Sequence, residues 1–394
     1  MNLSELAQTY QARIHRFQTE KEQLERRSNR IVAARLMVFL LIVVLVFLAI
    51  KLKLPVILII SIIPLAGFFW LIQKAGHVRR AINYRKILIR INEAEQLALQ
   101  GDHTSFDPGS HWIDFHHEYS YDLDIFGEHS IYRMVNRTGT PQGSETLAAL
   151  LMNPGTDHLL IRQRQEAAKE LKERLSWRQD FLATARESNW EDAQNQNARS
   201  WLQTTDSFSN HRFYPAAIRL NACITGIIVL ANIFTSLLPS TVAAWCPRAF
   251  LYFILPIGLI ISKTRTINHE QQKLDHLLGL FRKYAGLLAL IETEHFNSPY
   301  LNRLQQKLEH ENQRSSQIMK QLTGILWGLE ARGNLIVNFL LNASLLWDIL
   351  LMIRLERWRS RYRESFDRWI QAIADFEAIN SLATLAFNRP DCTW

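Results

Sequence analysis

The chain has 394 residues, of which 45 are basic and 37 acidic, for a net charge of +8. This length is enough for two or three domains, or for one domain with inserted elements. The apolar residues are concentrated in long runs with basic flanks, which favours a membrane protein over a purely soluble one. The three cysteines, Cys223, Cys246 and Cys392, form no Cys-x-x-Cys pair, which disfavours a disulfide framework and indicates a reducing compartment.

Residues 1–30 predict a charged amphipathic helix. Its apolar residues follow an alternating four-three spacing over about three heptads. They are Leu3, Ala7, Tyr10, Ile14, Phe17 and Leu24. So short a seam is marginally stable alone. It predicts either a dimer contact or packing against the same chain, and the spacing does not distinguish the two.

Two apolar stretches follow, at residues 31–50 and 54–72, joined by a tight turn. Each has about the length that a helix needs to cross a bilayer, so residues 31–75 predict a transmembrane hairpin. A signal peptide is disfavoured because the charged leader is long and a second apolar stretch follows at once. Basic residues on both flanks place both flanks in the cytoplasm. These are Arg26, Arg27, Arg30, Lys74, Arg79, Arg80, Arg85 and Lys86.

Residues 76–100 predict a helix leaving the membrane, and residues 101–117 predict a polar loop. The loop contains four histidines: His103, His111, His116 and His117. The last two are adjacent and cannot share one helix face, and no His-x-x-x-His pair or cysteine lies nearby. We therefore expect no metal site.

Residues 122–154 carry the most informative pattern in the chain. Apolar residues at helical spacing predict a short helix over residues 130–136. A break follows at residues 138–141, where Thr140 suits an N-cap and Pro141 suits the first turn of a second helix. Residues 153–155, Asn-Pro-Gly, end that helix.

This segment resembles the start of the core, lever-bearing domain of the MutS family of DNA mismatch-repair ATPases. In that family a Ser-Leu-Phe helix precedes Asn/Asp-x-Thr-x-Thr-x-x-Gly and a helix ending in Leu-x-x-Pro. The matching residues are Ser130, Ile131, Asn136, Thr138, Thr140, Pro141, Gly143, Leu147, Leu151 and Pro154. A second block, residues 161–171, is similar to the next family segment through Ile161, Arg164 and Gln165. The resemblance implies a structural role for the motif, which builds scaffold and does no chemistry.

Beyond the motif, residues 157–201 predict a largely solvated helical segment. Apolar stretches at 216–238 and 245–262 predict a second transmembrane hairpin over residues 215–262. Residues 264–313 predict helices with a wide apolar face, interrupted at residues 297–299. The alternation of long helices there is similar to the helical core of MutS-like proteins.

Residues 334–353 are apolar enough to span a membrane, yet Asn334, Asn338 and Asn342 lie on one helix face and a basic segment follows. We expect a buried core helix that continues to about residue 379, with a fifth span as the alternative. In the basic segment, Arg354, Arg357 and Arg361 are candidates for phosphate-backbone contacts. A solvated helix face is the simpler interpretation of that stripe.

The sequence contains no Gly-x-x-x-x-Gly-Lys-Ser/Thr loop and no Gly-x-Gly-x-x-Gly turn after a strand. We therefore expect no catalytic residue, no cofactor and no ATP hydrolysis within these residues. The resemblance implies that ATP and Mg²⁺ bind only in a C-terminal ATPase domain, if one follows residue 390. The N-terminal part of the chain predicts an amphipathic helix and a membrane hairpin, so it has no counterpart of the mismatch-reading Phe-x-Glu element of the MutS N-terminal domain. We therefore expect any DNA binding to be non-specific.

The sequence thus predicts an all-α protein with a MutS-type helical core and two transmembrane hairpins, which give four transmembrane helices. The expected segments are a cytoplasmic amphipathic helix at 1–30, hairpins at 31–75 and 215–262, and two parts of the core domain at 76–214 and 263–394. The expected location is the inner membrane, with several spans and both termini in the cytoplasm.

The expected partners are the lipid bilayer, a second copy in a homodimer, and DNA bound non-specifically. The resemblance implies that the core couples a following ATPase domain to DNA, as in mismatch repair, or to the membrane. The alternative is a structural membrane scaffold that uses the helical core for self-association and has no nucleic-acid role.

Overall fold

The computed structural model describes residues 2–52, 60–187, 192–204, 208–209, 213–233, 248–275, 277–311, 313–330, 332 and 335–392. Its fold is all-α, with one short antiparallel hairpin of strands β1 (Glu309–His310) and β2 (Gln313–Arg314). The α-helices are α1 (Leu3–Leu52), α2 (Ile62–Leu99), α3 (Ile131–Val135), α4 (Pro141–Met152), α5 (His158–Glu173), α6 (Leu175–Ala185), α7 (Asp192–Leu202), α8 (Phe213–Ile233), α9 (Ile254–Asp275), α10 (Leu278–Thr293), α11 (Pro299–Gln306), α12 (Ser315–Glu330), α13 (Leu335–Leu345) and α14 (Trp347–Asn388). Two 3₁₀ helices lie within the described residues, at Ser110–Trp112 and Arg248–Phe253.

The chain forms two compact units. The first unit contains Met1–Glu187, Ser298–Tyr300 and Phe376–Trp394, and the second contains Ser188–Asn297 and Leu301–Asp375. Helix α14 therefore begins in the second unit and ends in the first.

Helix α1 combines the amphipathic leader and the first apolar stretch in one continuous helix. It runs antiparallel to α2. Residues near the start of α1 share a core cluster with residues near the end of α2, and residues in the middle of α1 share a second cluster with residues nearer the start of α2. The first cluster contains Ile14, Phe17, Leu88, Ile89 and Ile91, and the second contains Ile31, Val78 and Ile82. The amphipathic seam thus packs against its own chain, the second of the two alternatives left open by its spacing.

Two described helical segments, Leu3–Leu52 and Phe213–Asn232, are long and apolar enough to cross a membrane. In the most apolar window of α1 only 6% of the residues are buried, and in the second segment 28% are. Asn338–Leu345 and Trp347–Asn388 would add a third if that bent pair is one span. The expected spans at 54–72 and 245–262 both include residues outside the described part of the chain. Cys246 also lies outside it.

Helix α6 departs from the largely solvated segment expected at 157–201, whereas α5 fits that expectation, since only its residues Ala167, Ala168 and Leu171 are buried. Helix α6 is largely buried, and Trp177, Phe181 and Leu182 all lie inside the first unit. Its buried residues surround the helix, so they do not produce the one-sided apolar stripe on which the sequence interpretation relied.

The second unit contains the wide apolar face expected over residues 264–313. The predicted break at 297–299 is confirmed, since α10 ends at Thr293 and α11 begins at Pro299. The apolar face is buried throughout: Leu274, Leu277, Leu278, Phe281, Tyr284, Leu287 and Leu288. The β-hairpin and the separate helix α12 were not predicted.

The prediction of one continuous buried helix from residue 334 to 379 was wrong. Leu346 has a left-handed φ of 50°, and Asn338–Leu345 lies at 77° to α14. Polar contacts hold this break: the amide of Asp348 donates to Asn342 Oδ1 at 2.9 Å, and Asp348 pairs with Arg332 at 2.9 Å. The side chains of α13 are also only partly buried, since Phe339 is 56% exposed.

Candidate functional site

The two short helices of the motif begin at side-chain caps. Ser130 caps α3, and its Oγ accepts a hydrogen bond from the amide of Arg133 at 3.1 Å. Thr140 caps α4, and its Oγ1 accepts from the amide of Gly143 at 2.9 Å. The prediction of Thr140 as N-cap and Pro141 in the first turn is confirmed. We call residues 136–140, between the two helices, the motif turn.

The motif turn is closed by its first side chain. Asn136 Oδ1 accepts from the amide of Thr138 at 2.9 Å and from Thr138 Oγ1 at 2.7 Å. An asparagine that bonds the backbone two residues later replaces part of a backbone turn. Asn136, Thr138 and Thr140 are all buried, so these polar side chains shape the turn and face the protein interior.

A buried glutamate of α14 lies against the motif turn. Glu377 Oε1 accepts from the amides of Gly139 and Thr140 at 2.8 and 3.1 Å, and Oε2 accepts from the Thr140 hydroxyl. Burial raises the pKa of Glu377 to about 7, although these hydrogen bonds and the charge of Arg186 act in the opposite direction. The carboxyl group of Glu377 therefore changes charge near neutral pH while it holds three donors of the turn.

Gly143 lets α4 approach Glu377 closely, and Gly139 lets the motif turn approach α6 closely. A Cβ atom on Gly143 would lie 1.9 Å from Glu377 Oε2 and 2.9 Å from Glu377 Cβ. A Cβ atom on Gly139 would lie 2.5 Å from the Cβ of Ala185 in α6. The contacts with the Cβ atoms of Glu377 and Ala185 could be relieved only if α4 moved away from α14 and the motif turn moved away from α6. The glycine of the family pattern thus has a local physical reason, the packing of α4 against the carboxylate of α14.

A second buried network connects the motif to α1, α2 and α14. Arg137 pairs with Glu95 of α2, with Nε to Oε1 at 2.5 Å, and each side chain is 3% exposed. Glu95 Oε2 also accepts from Asn388 Nδ2 at 2.7 Å, and Asn388 Oδ1 accepts from the Tyr10 hydroxyl at 2.7 Å. The Arg137 guanidinium lies 3.4 Å from the centroid of the Phe106 ring. Each charge is paired, which buried charges require.

The other motif residues lie in α4, in α5 and in the segment between these two helices. They are Leu147, Leu151, Pro154, Ile161, Arg164 and Gln165. Leu147 is fully buried and packs in a core cluster with Tyr132 of α3 and Ala378 of α14. Leu151, Ile161 and Arg164 are half-buried, whereas Pro154 and Gln165 are exposed.

The three arginines of the basic stripe, Arg354, Arg357 and Arg361, are exposed on the part of α14 that belongs to the second unit. Arg361 donates to the carboxylate of Glu311. Within the described part of the chain, neither Arg354 nor Arg357 forms a hydrogen bond or an ion pair. All three line one groove together with apolar side chains of α12.

The four loop histidines do not converge. Burial lowers the pKa of His103, which lies near Phe106, while His111 and His117 contact aromatic rings at Trp112 and Tyr119. Over the described ranges, no group of three or more His, Cys, Asp or Glu side chains is placed to hold a metal ion.

Sequence reasoning missed the charged residues of the junction. Arg137 lies inside the motif, but the family pattern leaves its position open. Glu95 and Glu377 occupy long helices in which an acidic residue is ordinarily solvent-exposed. Gly143 was a sequence signal that could have indicated the junction, because a glycine near the start of a helix indicates that another group approaches closely.

No family model matches the chain, and searches of curated proteins and of solved structures also found no match. The resemblance over residues 130–171 therefore stays a prediction from the motif residues. What the geometry itself establishes is a buried, hydrogen-bonded junction among α1, α2, the motif turn and the end of α14.

Proposed function

We propose that this chain is a membrane-anchored, MutS-like helical protein whose core couples α14 to the membrane hairpin of α1 and α2. The observation that carries the proposal is the buried junction around Glu377 and Glu95. In it, the end of α14 is hydrogen-bonded to the motif turn, to α2 and to α1 through Glu377 and Asn388. A displacement of α14 along its axis would act directly on the two helices that continue into the apolar hairpin.

The proposed membrane arrangement has two hairpins and four spans, in the inner membrane, with both termini in the cytoplasm. The exposed apolar side chains of α1 and α8 support it, because such surfaces are stable in contact with lipid. The basic residues that flank the first hairpin support the cytoplasmic location of both of its ends.

The proposed cofactor lies outside these residues. In the MutS family the core domain precedes an ATPase domain that dimerises, so ATP and Mg²⁺ would bind in that domain. Nucleotide state would then reach the described residues as movement of α14, and the protein would act as a homodimer. The motif residues would serve as the joint and would not touch nucleotide.

A second candidate function is non-specific DNA binding through Arg354, Arg357 and Arg361. It is supported by the exposure of all three guanidinium groups. The groove that they line is otherwise largely apolar, whereas surfaces that bind the phosphate backbone are polar and strongly basic. The membrane is therefore the partner that the geometry favours.

The membrane part is tested by extraction of the full chain from membranes at alkaline pH. The paired changes Leu41→Lys and Val44→Lys place two charges in the apolar part of α1, where each costs about 3 kcal/mol. We expect the wild type to stay in the membrane and a larger fraction of this variant to be extracted, because the α1 span is weakened while the second hairpin still anchors the chain. Gln23→Lys with Asn29→Lys is the matched control on the polar part of α1. Full extraction of the wild-type chain would exclude an anchor.

The DNA candidate is tested with the full chain in neutral lipid nanodiscs and a short duplex. Three arginine-phosphate contacts predict that affinity falls about 40-fold between 50 and 200 mM salt. The membrane proposal predicts no such salt-dependent binding. A salt-dependent affinity that disappears in the triple variant Arg354→Gln, Arg357→Gln, Arg361→Gln would establish the second candidate.

A further inference from the structure

A groove of about 750 Å³ lies in the second unit, between α12, α13 and the start of α14. This volume is within the range of sites that hold small organic ligands. Its apolar lining includes Ile325, Trp327, Leu341, Leu351 and Trp358. Trp327 is 63% exposed, so the groove has an aromatic wall that is open to the surroundings.

The walls of the groove are held by close helix packing. A Cβ atom on Gly328 of α12 would lie 3.0 Å from Leu351 Cδ1 of α14, so the two helices are in contact there. Trp358 Nε1 donates to the carbonyl oxygen of Ile318 at 3.0 Å, which connects the same two helices further along. Beyond Gly328 the helices leave open space, since a Cβ atom on Gly324 would meet no atom within 4 Å.

One side of the groove is cationic. Arg354, Arg357 and Arg361 follow one another at helical spacings of three and four residues, so they lie on one face of α14. Arg361 is paired with Glu311. Arg354 and Arg357 have no hydrogen-bonding or ion-pairing group among the described residues. Two guanidinium groups are thus available beside an apolar floor.

We propose that this groove binds one anionic phospholipid, with its phosphate on Arg354 and Arg357 and an acyl chain along Trp327, Leu341 and Leu351. Guanidinium groups pair with phosphate oxygens through two parallel hydrogen bonds, which suits a phosphate headgroup. The apolar lining suits an acyl chain, because each buried CH₂ group contributes about 0.8 kcal/mol. A free phosphate would leave this lining uncovered.

The neighbouring surface supports a lipid occupant. Leu341 lies on α13, where the adjacent side chains Phe339 and Leu340 are 56% and 59% exposed. An exposed apolar surface next to a cationic site is typical of a position at the membrane boundary. Duplex DNA offers no apolar group that would cover the exposed Trp327 and the half-buried Leu341 while its phosphates contact the arginines.

The test is a titration of the full chain in neutral detergent with dioctanoyl phosphatidylglycerol, followed by native mass spectrometry. Dioctanoyl phosphatidylcholine serves as the zwitterionic comparison. We expect the anionic lipid to bind about 30-fold more tightly, since two basic side chains contact it. Arg354→Gln with Arg357→Gln should remove that preference. Lys320→Gln with Arg363→Gln, which removes two exposed charges of the second unit outside the groove lining, should keep it.

A second variant pair tests the apolar half of the site. Gly324→Leu fills the open part of the groove and should abolish preferential binding of the anionic lipid. Gly279→Leu is the matched control, because Gly279 is also an exposed helical glycine with open space around it and does not line the groove. Both changes replace a helical glycine with a better helix former, so the helices should stay folded.

Several results would overturn the proposal. Equal affinity for the two lipids, or unchanged binding in Gly324→Leu, would exclude this site. Glycerol phosphate binding as tightly as the anionic lipid would show a simple anion site, and displacement of the lipid by duplex DNA would show a nucleic-acid site. The groove shares no residue with the motif junction, so failure of the coupling function and failure of lipid binding are separate outcomes.

Discussion

Glu377 is a carboxyl group buried where its charge is costly, yet three donors of the motif turn point at it. The hydrogen bonds favour its ionised form, and burial favours its neutral form. Burial dominates, which raises the pKa of Glu377 to about 7. Protonation of Glu377 therefore changes the hydrogen bonds between α14 and the motif turn, whereas the bond from the Arg137 amide to Ser381 Oγ does not titrate.

This balance predicts a pH dependence of stability. The pKa of Glu377 is raised from 4.5 to about 7 in the folded state, so the folded protein binds the proton more tightly than the unfolded chain. Its contribution to stability is complete below pH 4.5 and is lost as the pH rises through 7, by about 3 kcal/mol in total. We expect the urea concentration at the unfolding midpoint of the wild type to be lower at pH 8 than at pH 5. The same change in pH should lower the midpoint of Glu377→Gln less.

Glu377→Gln is the appropriate comparison because its amide oxygen can accept from Gly139 and Thr140 and its NH₂ group can donate to the Thr140 hydroxyl. Taking the difference between the two proteins also removes the effect of other titrating groups such as His103. Parallel pH profiles for the wild type and Glu377→Gln would mean that Glu377 has the same pKa in the folded and unfolded states.

At the scale of elements, the junction depends on how closely α4 approaches α14. Gly143→Ala places a methyl group 1.9 Å from Glu377 Oε2 and 2.9 Å from Glu377 Cβ. Rotation of the carboxylate can relieve the first contact but cannot relieve the second, which is fixed to the α14 backbone. We expect a loss of about 1–3 kcal/mol in the free energy of unfolding, typical of overpacking.

Gly279→Ala in α10 is the control for Gly143→Ala. Gly279 is exposed and has open space around it, so alanine should leave stability unchanged or raise it by up to about 1 kcal/mol. Denaturant unfolding of the full chain in detergent measures both. If the two substitutions had the same effect, α4 and α14 would not be in contact at Gly143.

Local signals in the sequence identified the elements well where a cap or a break is encoded within a few residues. Thr140 with Pro141, and the Asn-Ser-Pro sequence at 297–299, specify helix ends through side-chain chemistry that acts over one turn. Other features depend on distant residues. The break at Leu346 has no proline or glycine, and it is held by Asn342, Asp348 and Arg332 after folding.

At the scale of the whole molecule, the candidate site also combines features encoded by neighbouring residues, which could be predicted, with features that depend on distant residues, which could not. The motif residues that shape the turn are adjacent in sequence, so their pattern was recognisable. The acids that bind the turn, Glu95 and Glu377, come from helices far away in the chain. Nothing in their local sequence distinguishes them from the exposed acids of an amphipathic helix.

The central claim is that α14 transmits movement to the motif turn. Its most direct test is hydrogen exchange of the Gly139 and Thr140 amides, which donate to Glu377, in the full chain carrying Arg363→Pro. Arg363 is exposed and lies within α14, where proline disrupts a helix at a cost of about 3 kcal/mol. Arg363→Ala is the control, and the amide of Leu88 in α2 reports any general unfolding.

We expect both motif-turn amides to exchange at least about tenfold faster in Arg363→Pro than in Arg363→Ala, since a weakening of about 1.4 kcal/mol is a tenfold change in the equilibrium that opens them. The amide of Leu88 should be unaffected. Equal protection of Gly139 and Thr140 in the two variants would contradict the account, because α14 could then be broken without any effect on the joint.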